Sequence, residues 1–414
     1  MSRMTKVCWL AALAAFSTAS GAAHASDWLP PEQAARESVL GHPANTAAMA
    51  AQGGQYARAE AIRTGPAETQ LRLTPQYRHV RDPSENFAEG QVGVERPLRL
   101  WGKAGADAAL ADATIHSADI GLQDARHELS RELLSLWFGA LRARTEVQAQ
   151  SSALEQAMDL VRIVQSRVQH GDAAVLDLQL ATSDMERTRA AAVAAQAGER
   201  GAVAAMRVRL PLVRLPDALP QRLPAAIEGD RAGLRQSYIQ ASHELRLAQA
   251  EGERVQHLAR RVGLERYPDP TVGAFVSIER GGAERIAGVN LIVPLGGTYR
   301  RANAQAAAAD ATQAAARYRQ AELKAESEFD MQWELMQGNR QAADAMLAAS
   351  AQQESAYDKV KRAYAMGEAG VAEVLAAKRA HDEVRRQARL AMIDAAQSMY
   401  RLELDLHRMW DFDD

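Results

Sequence analysis

The chain has 414 residues, a formal net charge of −3, and 24% charged but only 5% aromatic residues. The near-neutral balance gives no pull towards nucleic acid, and a single cysteine, Cys8, excludes a disulfide framework. Much of the 47% hydrophobic fraction is alanine, which favours long helices with close backbones over a wide globular core.

Residues 1–25 read as a signal peptide: Arg3 and Lys6 precede the apolar run Val7 to Phe16, and Ala23-His24-Ala25 forms a small-residue cleavage site. The mature chain is expected to start at Ser26 and to be exported without cysteine, because Cys8 lies within the leader. Past the leader, no stretch approaches the ~18 consecutive apolar residues of a membrane helix. Residues 26–66 follow as an N-terminal helix, continuous from Pro31 to about Thr64. At 67–98 the period changes to two. Leu71, Leu73 and Tyr77 alternate with Gln70, Arg72, Thr74, Gln76 and Arg78; Asp82-Pro83-Ser84 turns; then Ala88, Gly90, Val92 and Val94 alternate with Glu89, Gln91, Gly93 and Glu95.

Residues 99–209 read as a long helical hairpin. Lys103 to His170 contains no proline and, at ~68 residues, would reach about 100 Å. Leu133, Ala140, Val147, Leu154, Val161 and Val168 recur every seventh residue, with Leu129, Leu136, Ala143, Ala157 and Val164 on the partner seam and Gln150 its one polar member. Pro211, Pro216, Pro220 and Pro224 make 210–224 an extended linker. A return helix is expected over 225–266. A second strand pair covers 267–296, with Val272, Ala274, Val276 and Ile278, a Gly281-Gly282 turn, then Ala287, Val289, Leu291, Val293 and Leu295. A second helical hairpin spans 297–410, its seam running through Phe329, Met336, Ala343, Tyr357 and Tyr364 and interrupted by Ser350, and 411–414 is a tail.

The second half repeats the first. Pro97 matches Pro294, Ala111-Asp112-Ala113-Thr114 matches Ala309-Asp310-Ala311-Thr312, and Gly171 matches Gly367, all at a shift of roughly 195 residues. Helix lengths suggest that each long helix has a two-piece partner. The pieces after Gly171 would complete the first, and the C-terminal helix plus the N-terminal one would complete the second.

Each strand is about 10 residues long, the length that crosses a bilayer when tilted. In lipid every backbone group must be paired, so strands there close into a barrel. Four strands cannot enclose a useful bore, so several chains would have to share one barrel. The alternative is a soluble four-stranded sheet packed on helices.

The ordered landmarks resemble the TolC-like outer membrane factors of efflux and secretion systems over essentially the whole mature chain. Leu29 to Pro43 looks like that family's opening helix. Arg96-Pro97-Leu98 before Trp101-Gly102-Lys103, and Val293-Pro294-Leu295 before Arg300-Arg301, are similar to its strand-to-helix junctions. Tyr364-Ala365-Met366-Gly367, continuing through Val371, Glu373, Val374 and Leu375, resembles its hairpin-tip signature. The resemblance implies an α+β membrane protein, internally duplicated, with long coiled-coil hairpins forming a periplasmic tunnel. Four strands per chain would contribute to a trimeric twelve-stranded barrel in outer membrane lipid. The implied partners are two further copies, a periplasmic adaptor and an inner-membrane pump of the resistance-nodulation-division type. The Gly102-Lys103 junction points within the family to the heavy-metal cation branch.

The family's tunnel closes at the hairpin tips through a tyrosine three before the tip glycine, an arginine two after it, and acids six and nine after it. Tyr364 and Glu373 match the tyrosine and first acid, and Asp177 matches an acid in the first copy. Ala369 and Ala376 stand at the arginine and second-acid positions, so the arginine-based lock is absent. Under threefold symmetry Glu373 would become a carboxylate ring favouring cations; a solvated acid complementing the helix dipole is the plainer reading, and for Tyr364 a seam residue. The resemblance also makes the tips adaptor contacts, with Gly171, Asp172, Val175, Gly367, Glu368 and Val371 as candidates, although the two glycines are explained by the reversal alone.

No catalytic set, cofactor motif or metal motif emerges, so the chain reads as a non-enzyme. His42, His79, His116, His127, His170, His243, His257, His381 and His407 contain no i, i+4 pair, and there is no H-E-x-x-H or P-loop. Lone surface histidines account for most of them. Met331, Met336 and Met346 read as core filling more than as a soft-metal route. The expected function is a passive exit duct of a tripartite efflux system for small molecules or metal ions. The alternative is a soluble periplasmic coiled-coil scaffold or adaptor.

Overall fold

In the computed structural model, residues 28–216 and 220–412 are described; the expected leader and the last two tail residues lie outside them. The elements run α1 (Glu32–Leu40), α2 (Pro43–Thr64), β1 (Gln70–Arg81), β2 (Ser84–Pro97), α3 (Lys103–Gln169), α4 (Val175–Arg209), α5 (Arg231–Ala241), α6 (His243–Leu264), β3 (Thr271–Glu279), β4 (Glu284–Ile292), α7 (Thr298–Met366) and α8 (Val371–Asp405). The fold is α+β, with helices of 67 and 69 residues at α3 and α7. Among the described residues, no helix is long and apolar enough to cross a membrane.

Two helices expected to be continuous are broken, each by a local cap. The N-terminal helix divides at His42, whose Nδ1 accepts from Ala44 N–H (3.1 Å), and Pro43 starts α2 where its missing N–H costs nothing. The return helix begins only at Arg231, after Asp230 caps Gly233 N–H, and breaks again where Ser242 Oγ accepts from Leu245 N–H (3.3 Å).

The first two-piece partnership is as expected, with α4 and α6 along α3, but in the second α7 pairs with α8 and α6, and α2 lies on α3 instead. The strand pairs dictate this. Each β-hairpin returns the chain to where it left, so the helix before it and the helix after it become neighbours. The structural unit is therefore α2-β1-β2-α3-α4, repeated as α6-β3-β4-α7-α8. Matching by length could not see the hairpin constraint.

At mid-length all layers meet in the main core. Trp137, Phe138, Leu133, Leu134 and Leu141 of α3 pack with Phe329 of α7 and Met392, Ile393 and Tyr400 of α8. Trp137 Nε1 donates to Trp28 O (2.7 Å), and Trp28 Nε1 to Arg222 O (3.0 Å), which fastens both flanking loops. The heptad found Leu133 and Ala140 but not the two large aromatics, because α3 has neighbours on more than one face. The α7 seam is narrower: Phe329, Met336, Ala343 and Tyr364 are buried, whereas Leu323, Met331 and Leu335 stand exposed.

At the opposite end from the hairpin tips, Lys103 is fully buried. Its Nζ donates to Asp269 Oδ2 (2.8 Å), Tyr267 O (2.8 Å) and Glu265 Oε2 (3.3 Å), which joins the start of α3 to the α6–β3 connection. The four strands form one antiparallel sheet in the order β1-β2-β3-β4. Register aligns Leu71 with Val94, Leu73 with Val92, Val92 with Val276 and Val276 with Ala287, so these apolar residues share one face.

Candidate functional site

The sheet is inverted relative to a soluble one. Its apolar face is uncovered, with Tyr77 at 69% and Val289 at 86% exposure, and Leu71, Leu73, Val94 and Leu291 beside them. The opposite face is polar and internally paired. Buried Glu95 accepts from Arg72 Nη2 (2.9 Å) and Asn290 Nδ2 (2.9 Å); buried Glu89 accepts from Gln76 Nε2 (2.9 Å) and pairs with Arg78 Nε (3.1 Å). Phe275 lies on this face over Gly288, where an added Cβ would meet its ring at 2.7 Å. Among the described residues, β1 and β4 each have one edge without a partner strand.

The hairpin tips carry the other candidate residues. Gly171 (φ 83°) and Gly367 (φ 81°) adopt left-handed backbone. In each turn two backbone bonds close the helix end: Gly171 N to Val168 O and Asp172 N to Arg167 O, then Gly367 N to Tyr364 O and Glu368 N to Ala363 O. This is the Schellman arrangement, which favours glycine because a Cβ strains that conformation. Asp177 and Glu373 then occupy corresponding places in the next helices. Asp177 Oδ2 accepts from Ala174 N–H and Glu373 Oε2 from Gly370 N–H, both at 3.2 Å. Both acids thus complement helix N-termini; Glu373 is exposed and Asp177 half-buried.

Tyr364 is 6% exposed in a small tip core with Leu160, Val164, Ala181, Val371, Val374 and Leu375. Val371 is 3% exposed in the same core. It packs within the chain and is not a surface contact, which corrects the expectation for that residue. Its counterpart Val175 is 63% exposed, with Leu176 at 61% beside it. Gly171, Asp172, Gly367 and Glu368 are exposed.

Two links between the hairpins escaped the sequence reading. Arg167 of α3 places its guanidinium 4.6 Å from the Tyr364 ring centroid and donates to Tyr364 O (3.2 Å). Ala369 packs against the same tip core. The repeat held a clue, since Arg167 adjoins Val168, the counterpart of Tyr364. Further from the tip, the Asp184 side chain is fully buried and its Oδ1 accepts from Arg379 Nε (2.8 Å) and Arg187 Nη2 (3.0 Å), joining α4 to α8. Burial pushes the Asp184 carboxyl upward, but the Arg379 and Arg187 hydrogen bonds outweigh it and hold the group below its ordinary value. Asp184 and Arg379 stand at nearly equivalent places in the two repeats, so they face each other across the internal symmetry.

Three of the histidines are exceptions to the lone-surface expectation. His127 and His243 are buried and, with His407, come together from three distant parts of the chain. Spacing rules for one helix cannot detect such a group. Of the methionines, Met336 is in the core and Met331 is 63% exposed.

Residues 64–208 match the family model described as outer membrane efflux protein. No curated protein sequence matches the chain. Solved structures share its fold across nearly its whole length. The CmeC outer membrane channel of Campylobacter jejuni is 12% identical with a TM-score of 0.74, over 92% of this chain and 86% of that one. The outer-membrane channel OprN is 19% identical with a TM-score of 0.76, over 92% and 90%. The outer membrane protein VceC of Vibrio cholerae is 18% identical with a TM-score of 0.72, over 92% and 95%.

Proposed function

We propose that this chain is a TolC-like outer membrane factor, supported by the outer membrane efflux protein model that residues 64–208 match and by the shared fold, and that three copies form a passive exit duct through the outer membrane of a Gram-negative bacterium. β4 of each copy pairs with β1 of the next, closing a twelve-stranded barrel whose apolar face meets lipid. The observation that carries this reading is the sheet itself, with one uncovered apolar face, one internally paired polar face and two open edges. A soluble scaffold or adaptor would leave that face in water and those edges free to aggregate.

The long hairpins continue the barrel as a periplasmic tunnel. Their tips, where Val175 and Leu176 are exposed beside Asp172, Gly171, Gly367 and Glu368, receive a periplasmic adaptor coupled to an inner-membrane pump of the resistance-nodulation-division type. That pump supplies the energy, and the duct passes small molecules or metal ions. Tyr364, Glu373 and Asp177 lie at the periplasmic gate. Arg167 over Tyr364 and Arg379 on Asp184 hold the two hairpins of each copy together when the gate is closed.

Fractionation followed by native mass measurement tests the assembly. The expected result is a trimer extracted by detergent from outer membranes. A monomer in the soluble periplasmic fraction would refute the duct.

A further inference from the structure

His127 in α3, His243 at the first position of α6 and His407 just beyond α8 each place a ring nitrogen within 4.8 Å of the others. The rings meet pairwise, with centroids 5.1 Å apart for His127–His243, 4.5 Å for His243–His407 and 5.0 Å for His127–His407.

The backbone at His407 is specialised for this convergence. α8 ends with His407 N–H to Leu404 O (3.0 Å) and Arg408 N–H to Glu403 O (3.0 Å), the same pair of bonds that closes α3 and α7. Those two turns use Gly171 and Gly367 in the left-handed position, whereas this one uses a histidine at φ 56°. A side chain there is disfavoured relative to glycine. The strained turn directs the His407 ring back onto α3 and α6.

A carboxylate fixes the orientation of the first imidazole. His127 Nε2 lies 3.1 Å from Asp405 Oδ1. Asp405 is itself held by Arg131 Nε (2.8 Å), Arg401 Nε (3.0 Å) and Gln332 Nε2 (2.8 Å). An Nε2–H donated to Asp405 is the carboxylate–histidine arrangement that leaves the other ring nitrogen of His127 to ligate a metal.

We propose that His127, His243 and His407 bind one divalent transition-metal ion of the zinc class within each copy of the chain. Three imidazoles are a borderline donor set, and a solvent molecule would complete a tetrahedron. Zinc–nitrogen bonds of ~2.0–2.1 Å put the donors about 3.3 Å apart, so the rings draw together by side-chain rotation when the ion enters. The ion staples α3, α6 and the C-terminal segment beside the main core. The site lies within one copy, and it stands whether or not the chain forms a duct.

The test uses the full mature chain in detergent, stripped by chelator, loaded with zinc chloride and desalted. Metal content and melting temperature are then measured. The wild-type chain is expected to retain one zinc per copy and to melt at a higher temperature with zinc than without. His407→Gly suits the left-handed turn and so should fold at least as well, yet lose the bound zinc and the zinc-dependent shift. His116→Ala, a substitution of an exposed histidine elsewhere on α3, should behave as wild type. A wild-type chain that retains no zinc, or a His407→Gly chain that retains one per copy, would overturn the assignment.

Discussion

Replacing Arg167 by alanine should loosen the tip. The guanidinium makes two contacts with the second hairpin: the Tyr364 ring face at 4.6 Å and the Tyr364 carbonyl at 3.2 Å. A cation–π contact in a partly desolvated place contributes ~0.5–2 kcal/mol, and a charged donor to a carbonyl ~1.5 kcal/mol or more. The losses overlap, because one side chain makes both, so ~1–3 kcal/mol is the expected weakening of the closed state. That corresponds to about a 5- to 150-fold shift towards opening per copy. The Tyr364 ring remains packed against Leu160, Val164 and Val371, so the trimer should still assemble and melt within a few degrees of wild type. Single-channel recording in planar bilayers reads the effect directly, as a raised open probability. An unchanged open probability in a properly assembled Arg167→Ala trimer would refute the claim that this arginine latches the hairpins.

Glu373→Gln should reduce the cation preference of the open channel with little effect on assembly, since glutamine still reaches Gly370 N–H and only ~0.5 kcal/mol of helix-dipole interaction is lost; unaltered reversal potentials would place Glu373 away from the pore. Asp184 gives a pH test. Its folded-state pKa is depressed, so its contribution is present above the unfolded value of ~3.9 and fades as the pH falls through the lower folded value. Thermal melts between neutral pH and pH 3 should therefore show wild type losing stability relative to Asp184→Asn at the acid end, and parallel curves would count against the Arg379–Asp184 link. Lys103→Met should destabilise by ~3 kcal/mol, the lower end for a broken buried ion pair, because Asp269 and Glu265 keep some access to water. A change under ~1 kcal/mol in denaturant titration would show that Lys103 does not secure the junction.

The fold was legible where a local period carried it. Alternation at Leu71–Tyr77 and Val272–Ile278 gave the strands, and the proline-free runs after Lys103 and Tyr299 gave the long helices. Breaks at His42 and Ser242 were not legible, because each depends on one side chain capping the next segment. The assignment of α2 to α3 was hidden for a different reason: it follows from hairpin closure, which helix lengths do not encode. At the tips, Tyr364 and Glu373 became candidates only through the resemblance to the hairpin-tip signature. Arg167 and Asp184 could not be read, since their partners lie in the other repeat and only the packed structure brings the hairpins together. Val371 shows the converse, with a residue at a surface-like position buried because Tyr364 and Leu375 enclose it. The histidine group belongs to the same class, being assembled from three segments by tertiary packing.

The central claim is that β4 of one copy pairs with β1 of the next around a closed barrel. Cys8 is the only cysteine in the chain and lies in the expected leader, so engineered cysteine pairs can report this contact without background. A scan pairing one position in β1 with one in β4, stepped along the strands in cells, should find a register that gives disulfide-linked dimers and trimers in outer membranes. The ladder should end at three on non-reducing gels. No intermolecular disulfide at any register, or a ladder that continues past three, would contradict the account.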